Sequence, residues 1–576
     1  IANILEEIGT LLELRGENPF KCRAYHNAAR VITSVTKDLA SIIEANELRD
    51  IKGIGQGLAE KIIELVTTGK SQFYDELKNS LPPGLTDMLR ISGLGPKRIK
   101  ILYDTLHIKS VEELRKASET HKLASLEGFG KKTEENILRG IENLQKHSDK
   151  HLYSIGKESA DRILHDIKTH IGVIRCDIAG SLRRRKEIIG DIDILVSAKR
   201  SAITAIIKLF TTHPEVEQIT AQGDTKASVI LTTGINCDLR VIHDDEYPFA
   251  LAYFTGSKEH NVSMRTLSKK FGWSLNEYGF SSLDSQETRG KAKRIVPCRT
   301  EEDIYRALKL DYIPPELREN MGEIEAAQTS SLPDLISEED IRGTFHCHTN
   351  YSDGVNSLQE MAEAAIALGW EYIGIADHSK IAVYAGGLSE ERVKQQHKEI
   401  DILNRKMKNF RIFKGTEVDI LPDGTLDWKD KILASFDFVV ASIHNKFKMT
   451  EAEGTKRIIK AIKNKYVTML GHPTGRLLLE REGYPVNMID VIQAAADYGK
   501  IIEINAHPLR LDMDWRLWKY AKEKGVKTSI NPDAHSITGL RDVSFGVGIA
   551  RKGWLEKKDV INTRTTREVI KFLNKQ

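Results

Sequence analysis

A chain of 576 residues is too long for one hydrophobic core, so its length predicts several domains. The 85 Lys and Arg residues nearly balance the 82 Asp and Glu residues, and a formal net charge of +3 excludes any inference of a polyanionic partner from overall charge. Five Cys residues without a CxxC pair exclude a disulfide framework, and no apolar run reaches the roughly 20 residues that span a bilayer, so we expect a reduced, cytoplasmic protein.

The first 150 residues are predicted to be helical, in two parts at 1–80 and 81–150. A Gly-apolar-Gly pattern recurs three times, each time before a Lys-bearing helix. One copy alone would favour a glycine cap between two helices. Three copies favour helix-hairpin-helix turns, which aim backbone N–H groups and a helix N-terminus at a DNA phosphate. The predicted DNA-binding glycines are Gly53, Gly55, Gly93, Gly95, Gly128 and Gly130.

The stretches NPFKCRAYHNAARVI and GIGQGLAEKI resemble the small N-terminal lyase domain of the polymerase beta family. The resemblance implies that Lys61 is the Schiff-base lysine that removes a 5′-deoxyribose phosphate. It also implies that Lys21 and Tyr25 bind the 5′-phosphate at a gap. A partly desolvated lysine beside phosphate-binding groups is a usable nucleophile, and the alternative for Lys61 is an ordinary solvated helix lysine. Gly57 stands where vertebrate relatives carry another phosphate-binding lysine.

Residues 151–245 are predicted to form a nucleotidyltransferase palm, because their β-branched runs indicate a sheet. Alternation along a strand would put Asp191 and Asp193 on one face, where two carboxylates can share divalent ions roughly 3.5–4 Å apart. Asp238 is the candidate third carboxylate on a neighbouring strand. An all-carboxylate, water-rich site favours Mg²⁺. The residues predicted to offer N–H groups, a hydroxyl and positive charge to a triphosphate are Gly180, Ser181, Arg184 and Gly190.

The stretch YFTGSKEHNVSMR, followed by WSLNEYGF, resembles the nucleotide-selection, or thumb, subdomain of family X DNA polymerases, predicted here over residues 246–315. The resemblance implies that the YFTGS turn lies against the sugar of the incoming deoxynucleotide. The implied reaction is in-line attack of a primer 3′-hydroxyl on the α-phosphate of a deoxynucleoside triphosphate. Carried over residue by residue, the nucleotide contacts are Tyr253, Phe254, Gly256 and Asn261, and the template-strand contact is Arg265.

Residues 316–335 have the Pro, Ser and charge content of a linker, and 336–576 alternate short strands with helices, which predicts an α/β barrel-like domain. His and acidic residues follow the predicted strands, a placement that gathers side chains at one end of a barrel. Imidazole mixed with carboxylate favours two or three zinc, manganese or iron ions over calcium. The grouped residues are His346, His348, Asp353, Asp377, His378, Glu417, His444, His472, Asp533 and His535.

The runs HCHTNYSDG, ADHS, GTEVDI, SIHN, GHP and NPDAHS resemble, in order, the PHP domain of polymerases and histidinol phosphatase. The resemblance implies that all the grouped residues except Asp377 are metal ligands, with Glu417 as a bridge between metals. It further implies a metal-dependent phosphoesterase that acts as a 3′–5′ exonuclease or on abasic sites and blocked 3′ ends. His507 stands where the family usually has Asn, and an extra ligand, a phosphate contact and a neutral variation are all open.

Together these patterns predict a multidomain protein with an all-α helix-hairpin-helix N-terminal region, an α+β nucleotidyltransferase palm and thumb, and a C-terminal α/β PHP domain built as a distorted β/α barrel. The predicted function is gap-filling DNA synthesis in base excision or end-joining repair, with 3′-end cleaning. The expected partners of this nucleoid-associated monomer are deoxynucleoside triphosphates and gapped or nicked DNA with a 5′-phosphate. The predicted linker implies that the two active sites work independently.

Three alternatives belong to other classes of function. The chain could be a DNA-binding scaffold with one inactive site, but its carboxylate and His sets are complete. The PHP domain could be a small-molecule phosphatase, and only its fusion to a polymerase argues against this. An RNA or antibiotic nucleotidyltransferase would need neither the YFTGS turn nor three hairpins.

Overall fold

The computed structural model describes residues 1–34, 39–51, 53–89, 91, 94–124, 126, 128–146, 149–283 and 296–574. The chain divides into two compact units, one built mainly from residues 1–148 and the other mainly from residues 149–576. Within the described ranges, no helix is long and apolar enough to cross a membrane.

All the regular elements among the described residues of the first unit are helices, as predicted. Gly16 and Gly69 end two of its helices in the left-handed backbone region, with φ of 80° and 68°, which glycine adopts without steric cost. The apolar faces of the helices bury one common core. The helices are α1 (Ala2–Arg15), α2 (Pro19–Ser34), α3 (Leu39–Glu44), α4 (Gln56–Thr68), α5 (Gln72–Asn79), α6 (Pro83–Met88), α7 (Pro96–Leu106), α8 (Val111–Glu119) and α9 (Lys131–Lys146).

The palm opens the second unit as a mixed sheet. Its elements are β1 (His151–Leu152), α10 (Tyr153–Lys168), β2 (Val173–Ile178), α11 (Gly180–Arg183), β3 (Ile188–Ile189), β4 (Asp191–Ala198), α12 (Ile203–Thr211), β5 (Val216–Gln222), β6 (Lys226–Leu231) and β7 (Asn236–Ile242). The strand order is β2-β4-β7-β6-β5; β4 and β7 are parallel, and the other neighbours are antiparallel. Ile192 and Ile194 pack toward α10 and α12, so the alternate residues of β4 face the other side.

The thumb follows the palm and covers that other side of β4, where Leu195 packs against Tyr247 and Leu251. Ser257 caps one thumb helix, and Thr300 forms a capping box with Asp303 at the start of another. The thumb elements are α13 (Tyr247–Thr255), α14 (Lys258–Lys269), β8 (Trp273–Asn276), β9 (Gly279–Ser282) and α15 (Glu301–Ala307).

Residues 316–335, predicted as a linker, are instead a packed part of the second unit. They include α16 (Glu323–Gln328), and Leu317 and Ile324 are buried in the thumb core. The content of charged residues in 316–335 is typical of a solvated spacer, because charged side chains are mostly exposed in proteins. Here Arg318 is fully buried, so composition alone was misleading.

The buried charges of this segment are paired with residues of the thumb. Arg318 Nη1 lies 2.5 Å from Glu301 Oε1, and Glu323 Oε1 lies 2.7 Å from His260 Nδ1. Although burial alone would raise it, the charges of Arg318 and Arg183 lower the pKa of Glu301 to about 2. Buried charges are tolerated only when paired in this way, and the partners are far away in sequence.

The segment predicted as a PHP domain forms a parallel seven-stranded barrel that is nearly closed. Its strands are neighbours in chain order, and the His348 N–H donates to Ala534 O at 2.8 Å, which brings the last strand beside the first. The elements are β10 (Gly343–Cys347), α17 (Leu358–Ala367), β11 (Tyr372–Ile375), α18 (Glu390–Lys406), β12 (Arg411–Asp419), α19 (Asp430–Leu433), β13 (Phe438–Ser442), α20 (Glu451–Ile462), β14 (Met469–Leu470), α21 (Met488–Asp497), β15 (Ile501–Asn505), α22 (Trp518–Glu523), β16 (Thr528–Asn531), α23 (Val543–Lys552) and α24 (Thr566–Leu573). The predicted fold class is confirmed.

Candidate active sites

The three predicted palm carboxylates lie together on the parallel pair β4 and β7. Asp193 and Asp238 are register partners, and Asp191 lies two residues before Asp193 on the same face. Burial and then the charges of Asp191 and Asp238 raise the pKa of Asp193 to about 6. Lys226 Nζ lies 2.8 Å from Asp238 Oδ2. Carboxylates that raise one another's pKa are stabilised by divalent cations, so this face of the sheet is suited to bind them.

The turn before the carboxylate strand requires glycine. Gly180 has φ of 66°, and a Cβ at this position would lie 2.6 Å from Asp193 Oδ2. The Ala179 N–H donates to Asp193 O at 2.8 Å and holds the turn against the strand. Ser181 is the second residue of α11, and Gly190 directly precedes the first carboxylate. The predicted phosphate-binding turn therefore packs directly against one of the carboxylates, Asp193.

Arg184 is buried rather than open toward a triphosphate, with 8% of its surface exposed. Its Nε lies 2.9 Å from Glu319 Oε1, and its Nη1 donates to Thr255 O at 2.8 Å. Arg183, which was not assigned from the sequence, donates to Thr255 Oγ1 at 2.7 Å and pairs with Glu301. The two arginines thus join the Gly-Ser turn to the YFTGS turn. Direct binding of a triphosphate by Arg184 stays a prediction.

The YFTGS turn is shaped by one asparagine. Asn261 Nδ2 donates to Tyr253 O at 2.7 Å and to Gly256 O at 3.2 Å. A Cβ on Gly256 would lie 2.5 Å from Asn261 Oδ1, so glycine permits this close approach. Phe254 packs edge-on against Tyr253, with ring centroids 5.2 Å apart. Arg265 lies one helical turn after Asn261 and is exposed, as a contact with a template strand requires.

All nine predicted PHP ligands lie at the carboxyl ends of the barrel strands or in the loops that follow, which is where parallel barrels gather their functional groups. Each residue offers one ligand atom, and within each group these atoms lie within 4.8 Å of one another. The groups found among the described residues are His348, Asp353, His378 and His535; His346, Glu417 and His472; His346, His348 and Asp533; and His378, Glu417 and His444. Because the groups share members, the cluster fits more than one divalent ion.

Glu417 lies at the centre of this metal-ligand cluster. Its Oε1 is 2.9 Å from His472 Nε2 and 3.1 Å from His444 Nε2, whereas its Oε2 is 3.0 Å from His378 Nδ1. Despite its burial, the charges of His444, His346 and His378 hold the pKa of Glu417 well below its usual range. An ionised carboxylate whose two oxygens face different imidazoles is suited to bridge two metals.

Two further observations support metal binding by the cluster. Among the described residues, the buried His346 Nε2, His348 Nε2 and His378 Nδ1 atoms make no hydrogen bond of good geometry, although Glu417 oxygens lie 3.0–3.7 Å from them and buried polar atoms are nearly always satisfied. His346 and Asp533 also have left-handed backbones, with φ of 55° and 53°. Such conformations cost free energy in residues other than glycine and concentrate at functional sites.

Buried carboxylates behind the ligands were missed from the sequence. Glu503 Oε1 lies 2.6 Å from His346 Nδ1, and Glu503 Oε2 accepts the His472 N–H at 2.6 Å. Asp419 Oδ1 lies 3.3 Å from His444 Nδ1. Carboxylates of this kind orient ligating imidazoles. Their signal was present, since each occupies a predicted strand beside a ligand motif, GTEVDI or EINAHP.

Asp377 and His507 have supporting positions. Asp377 accepts hydrogen bonds from the Thr349 N–H at 2.8 Å and from Gln396, so it stabilises the loop after β10. His507 belongs to none of the ligand groups among the described residues, and its Nδ1 accepts the Leu509 N–H at 3.2 Å.

The predicted lyase residues surround one aromatic ring in the first unit. Lys61 Nζ lies 3.9 Å from the centroid of Phe73, Lys21 Nζ lies 6.0 Å from it, and Tyr25 stacks on it at 6.1 Å. Lys21 is exposed and pairs with Glu17 at 3.4 Å, whereas Tyr25 is buried. Phe73 was not assigned from the sequence, because an aromatic residue 12 positions after Lys61 has no local pattern.

The predicted hairpin glycines that the structure describes lie in the turns before Lys-bearing helices. Gly53 has φ of 101°, and Gly55 and Gly95 directly precede α4 and α7. Gly93 lies outside the described residues. An added Cβ would meet no heavy atom within 4 Å at Gly55, Gly95, Gly128 and Gly130, so these turns have open space beside them. Phosphate binding by their backbone amides stays a prediction.

Four protein families match parts of the chain. Residues 1–71 match a helix-hairpin-helix domain and residues 85–143 a SAM-like helix-hairpin-helix tandem. Residues 250–319 match the DNA polymerase beta thumb, and residues 344–507 match the PHP domain.

Three relatives differ in how much of the chain they cover. A Bacillus subtilis (strain 168) protein named DNA polymerase/3′-5′ exonuclease PolX is 39% identical over 581 residues, covering 100% of this chain and 99% of its own length. A Thermoanaerobacter sp. (strain X514) protein, named a probable phosphatase, is 34% identical over 35% of this chain and 80% of its own. DNA polymerase lambda of Rattus norvegicus is 27% identical over 55% of this chain and 56% of its own.

Proposed function

The chain belongs to the family X DNA polymerases that carry a C-terminal PHP domain, and from this premise we propose that it fills short gaps in DNA during repair. The predicted combination of a DNA polymerase with a 3′–5′ exonuclease is confirmed by the full-length relative. DNA and deoxynucleoside triphosphates are its substrates, and both sites depend on divalent metals. We further propose that the protein works as a monomer in the cytoplasm, at the nucleoid where its DNA substrate lies.

The pairing of Asp193 with Asp238 beside the Gly180 turn carries the polymerase assignment. With Asp191, these carboxylates would hold two cations, and Mg²⁺ suits an all-oxygen site. When bound, the cations supply Lewis-acid stabilisation for attack of the primer 3′-hydroxyl on the α-phosphate. The chain itself orients the substrates, because the N–H groups of the turn face the phosphates and the YFTGS backbone forms a wall for the sugar.

The PHP site would hold two or three ions of zinc, manganese or iron, because its donors are mainly imidazoles with a central carboxylate. When bound, such ions supply the Lewis acidity that phosphate-ester cleavage needs. Buried partners such as Glu503 fix the orientation of the imidazoles. We propose a DNA 3′ end as the substrate. A small-molecule phosphatase is the second candidate, since a relative named a probable phosphatase is 34% identical over 214 residues of this chain.

One assay separates these functions. A labelled primer on a gapped duplex, with or without a 5′-phosphate at the far side of the gap, is incubated with the protein in Mg²⁺ and in Mn²⁺. Extension with deoxynucleotides and shortening without them support the proposal. Release of phosphate from small esters with an unchanged primer would favour the phosphatase. If neither reaction occurs, the result would favour a DNA-binding scaffold.

A 5′-phosphate should accelerate filling of a one-nucleotide gap at moderate salt, by roughly 10-fold if one charge-assisted contact is gained. The reason is that Lys21 is exposed beside Phe73, in a unit whose hairpin glycines have open space beside them. Single-turnover rates on phosphorylated and unphosphorylated gaps measure the effect. Raising the salt should reduce the advantage by screening. Equal rates at every salt concentration would contradict a gap-sensing first unit.

Lyase activity by Lys61 predicts a covalent product with abasic DNA. An imine between Lys61 Nζ and the sugar aldehyde is reduced by borohydride to a stable link, which gel electrophoresis detects. Lys61→Met should lose this product, whereas Lys70→Met, an exposed lysine of the same unit, should keep it. Equal trapping by both variants would assign the nucleophile elsewhere.

A further inference from the structure

The last residue of α23 in the PHP domain contacts the palm rather than the PHP metal site. Lys552 is only 1% exposed, and its Nζ lies 2.5 Å from Glu319 Oε1, 3.1 Å from Arg184 O and 3.3 Å from Glu316 O. An ammonium group has three donors, and here each has an acceptor. Lys552 Nζ also lies 4.3 Å from the Trp515 ring centroid. A lysine is buried this deeply only when its charge is compensated.

Glu319 connects this lysine to the predicted nucleotide site. Its Oε1 lies between Lys552 Nζ and Arg184 Nε, at 2.5 Å and 2.9 Å. Arg184 directly follows α11, whose first residue packs on Asp193, and it donates to Thr255 O in the YFTGS turn. A continuous chain of contacts therefore runs from the PHP domain through one carboxylate to both walls of the polymerase site.

A neighbouring contact anchors the same segment. Arg551 Nε donates to Glu316 Oε1 at 2.7 Å, and Arg318 O, in the same segment, accepts the Ser257 N–H at 3.1 Å. Residues 316–319 are thus held by the end of α23 on one side and support the YFTGS turn on the other. Two independent sites joined by a free spacer would show no such arrangement.

We propose that Lys552 is a positioning residue of the polymerase site. It holds the Gly180–Arg184 turn and the Thr255–Gly256 turn in the relative position that binding of a deoxynucleoside triphosphate requires. The proposal rests on the proposed polymerase function. Without the ammonium group, Arg184 O and Glu316 O lose a buried donor, and Glu319 keeps a single cation. Because nucleotide transfer depends on placement to within about 1 Å, a shift of either turn is costly even though Lys552 touches no substrate.

Lys552→Met in the full-length protein tests this directly, because methionine retains much of the side-chain length and removes the charge. We expect the apparent KM for the deoxynucleotide to rise by about 10-fold to 100-fold. The KM for gapped DNA and the rate of 3′-end degradation should stay near those of the unaltered protein. Lys558→Met is the matched control, since that lysine is in the same domain, is 70% exposed and pairs only with Glu556 among the ion pairs of the described residues.

A double-mutant cycle distinguishes positioning from general destabilisation. If Lys552 acts through Glu319, Glu319→Gln should raise the nucleotide KM similarly, and the double variant should be no worse than the worse single variant. If the two effects on the nucleotide KM multiply in the double variant, or if Lys552→Met leaves the nucleotide KM unchanged, the proposal is overturned. If circular dichroism shows that Lys552→Met does not fold, the nucleotide KM of Glu319→Gln decides the test, because this substitution removes the charge and keeps the shape of the side chain. Absence of synthesis by the unaltered protein would instead refute the proposed function.

Discussion

Asp193→Asn is expected to reduce the rate of nucleotide addition by on the order of 10³-fold, while 3′-end degradation continues at the rate of the unaltered protein. Asp193 faces Asp238 across β4 and β7, and both are needed to hold cations between them. Asparagine has the same shape but lacks the negative charge, so the strands should keep their register. Primer extension on a gapped duplex in Mg²⁺ and primer shortening without deoxynucleotides measure the two activities.

Glu217→Gln is the matched control for this substitution. Glu217 is an exposed acid on β5, the far edge strand of the same sheet, so its charge should not affect the cation pair. Asp238→Ala should reproduce the loss, because it removes a carboxylate from the partner strand. Extension by both Asp193→Asn and Asp238→Ala would refute the assignment of the polymerase site.

His346→Ala should reduce 3′-end degradation by at least about 100-fold, while gap filling continues in Mg²⁺. His346 Nε2 lies 3.3 Å from Glu417 Oε1 and 3.7 Å from Asp533 Oδ1, so the imidazole belongs to two of the ligand groups. Its loss also removes the imidazole that lies 2.6 Å from the buried Glu503 Oε1. The substitution is at the metal end of the barrel, away from the Lys552 contacts, so the palm should be unaffected.

The readout is degradation of a labelled 3′ end in Mn²⁺ and in Mg²⁺, and we expect Mn²⁺ to support it better, because Mg²⁺ prefers oxygen ligands and retained waters. Asp533→Ala should behave like His346→Ala. His397→Ala is the control, since His397 packs against Phe436 in the same domain and belongs to no ligand group among the described residues. Degradation that survives in both ligand variants, or that disappears in Asp193→Asn, would place the nuclease elsewhere.

The sequence by itself determined those features whose chemistry lies within a few consecutive residues. Asp191 and Asp193 share a face because side chains alternate along any strand, and this holds before the sheet assembles. The Gly180-Ser181 pair predicts a phosphate-binding turn, because glycine has the backbone freedom for the turn and the two residues supply N–H and hydroxyl donors. Similarly, His346 and His348 come at the end of a strand, and parallel strands of a barrel all end on one side.

Only the tertiary structure decided what lies between the two catalytic domains. Residues 316–335 have a linker's composition, yet Arg318 is buried against Glu301, and Glu319 joins Arg184 to Lys552. The reason is that a buried charge requires a partner at about 3 Å in space but at no particular distance in sequence. Such pairs leave no period, spacing or motif, so whether a charged segment is a solvated spacer or a buried support depends on the assembled fold.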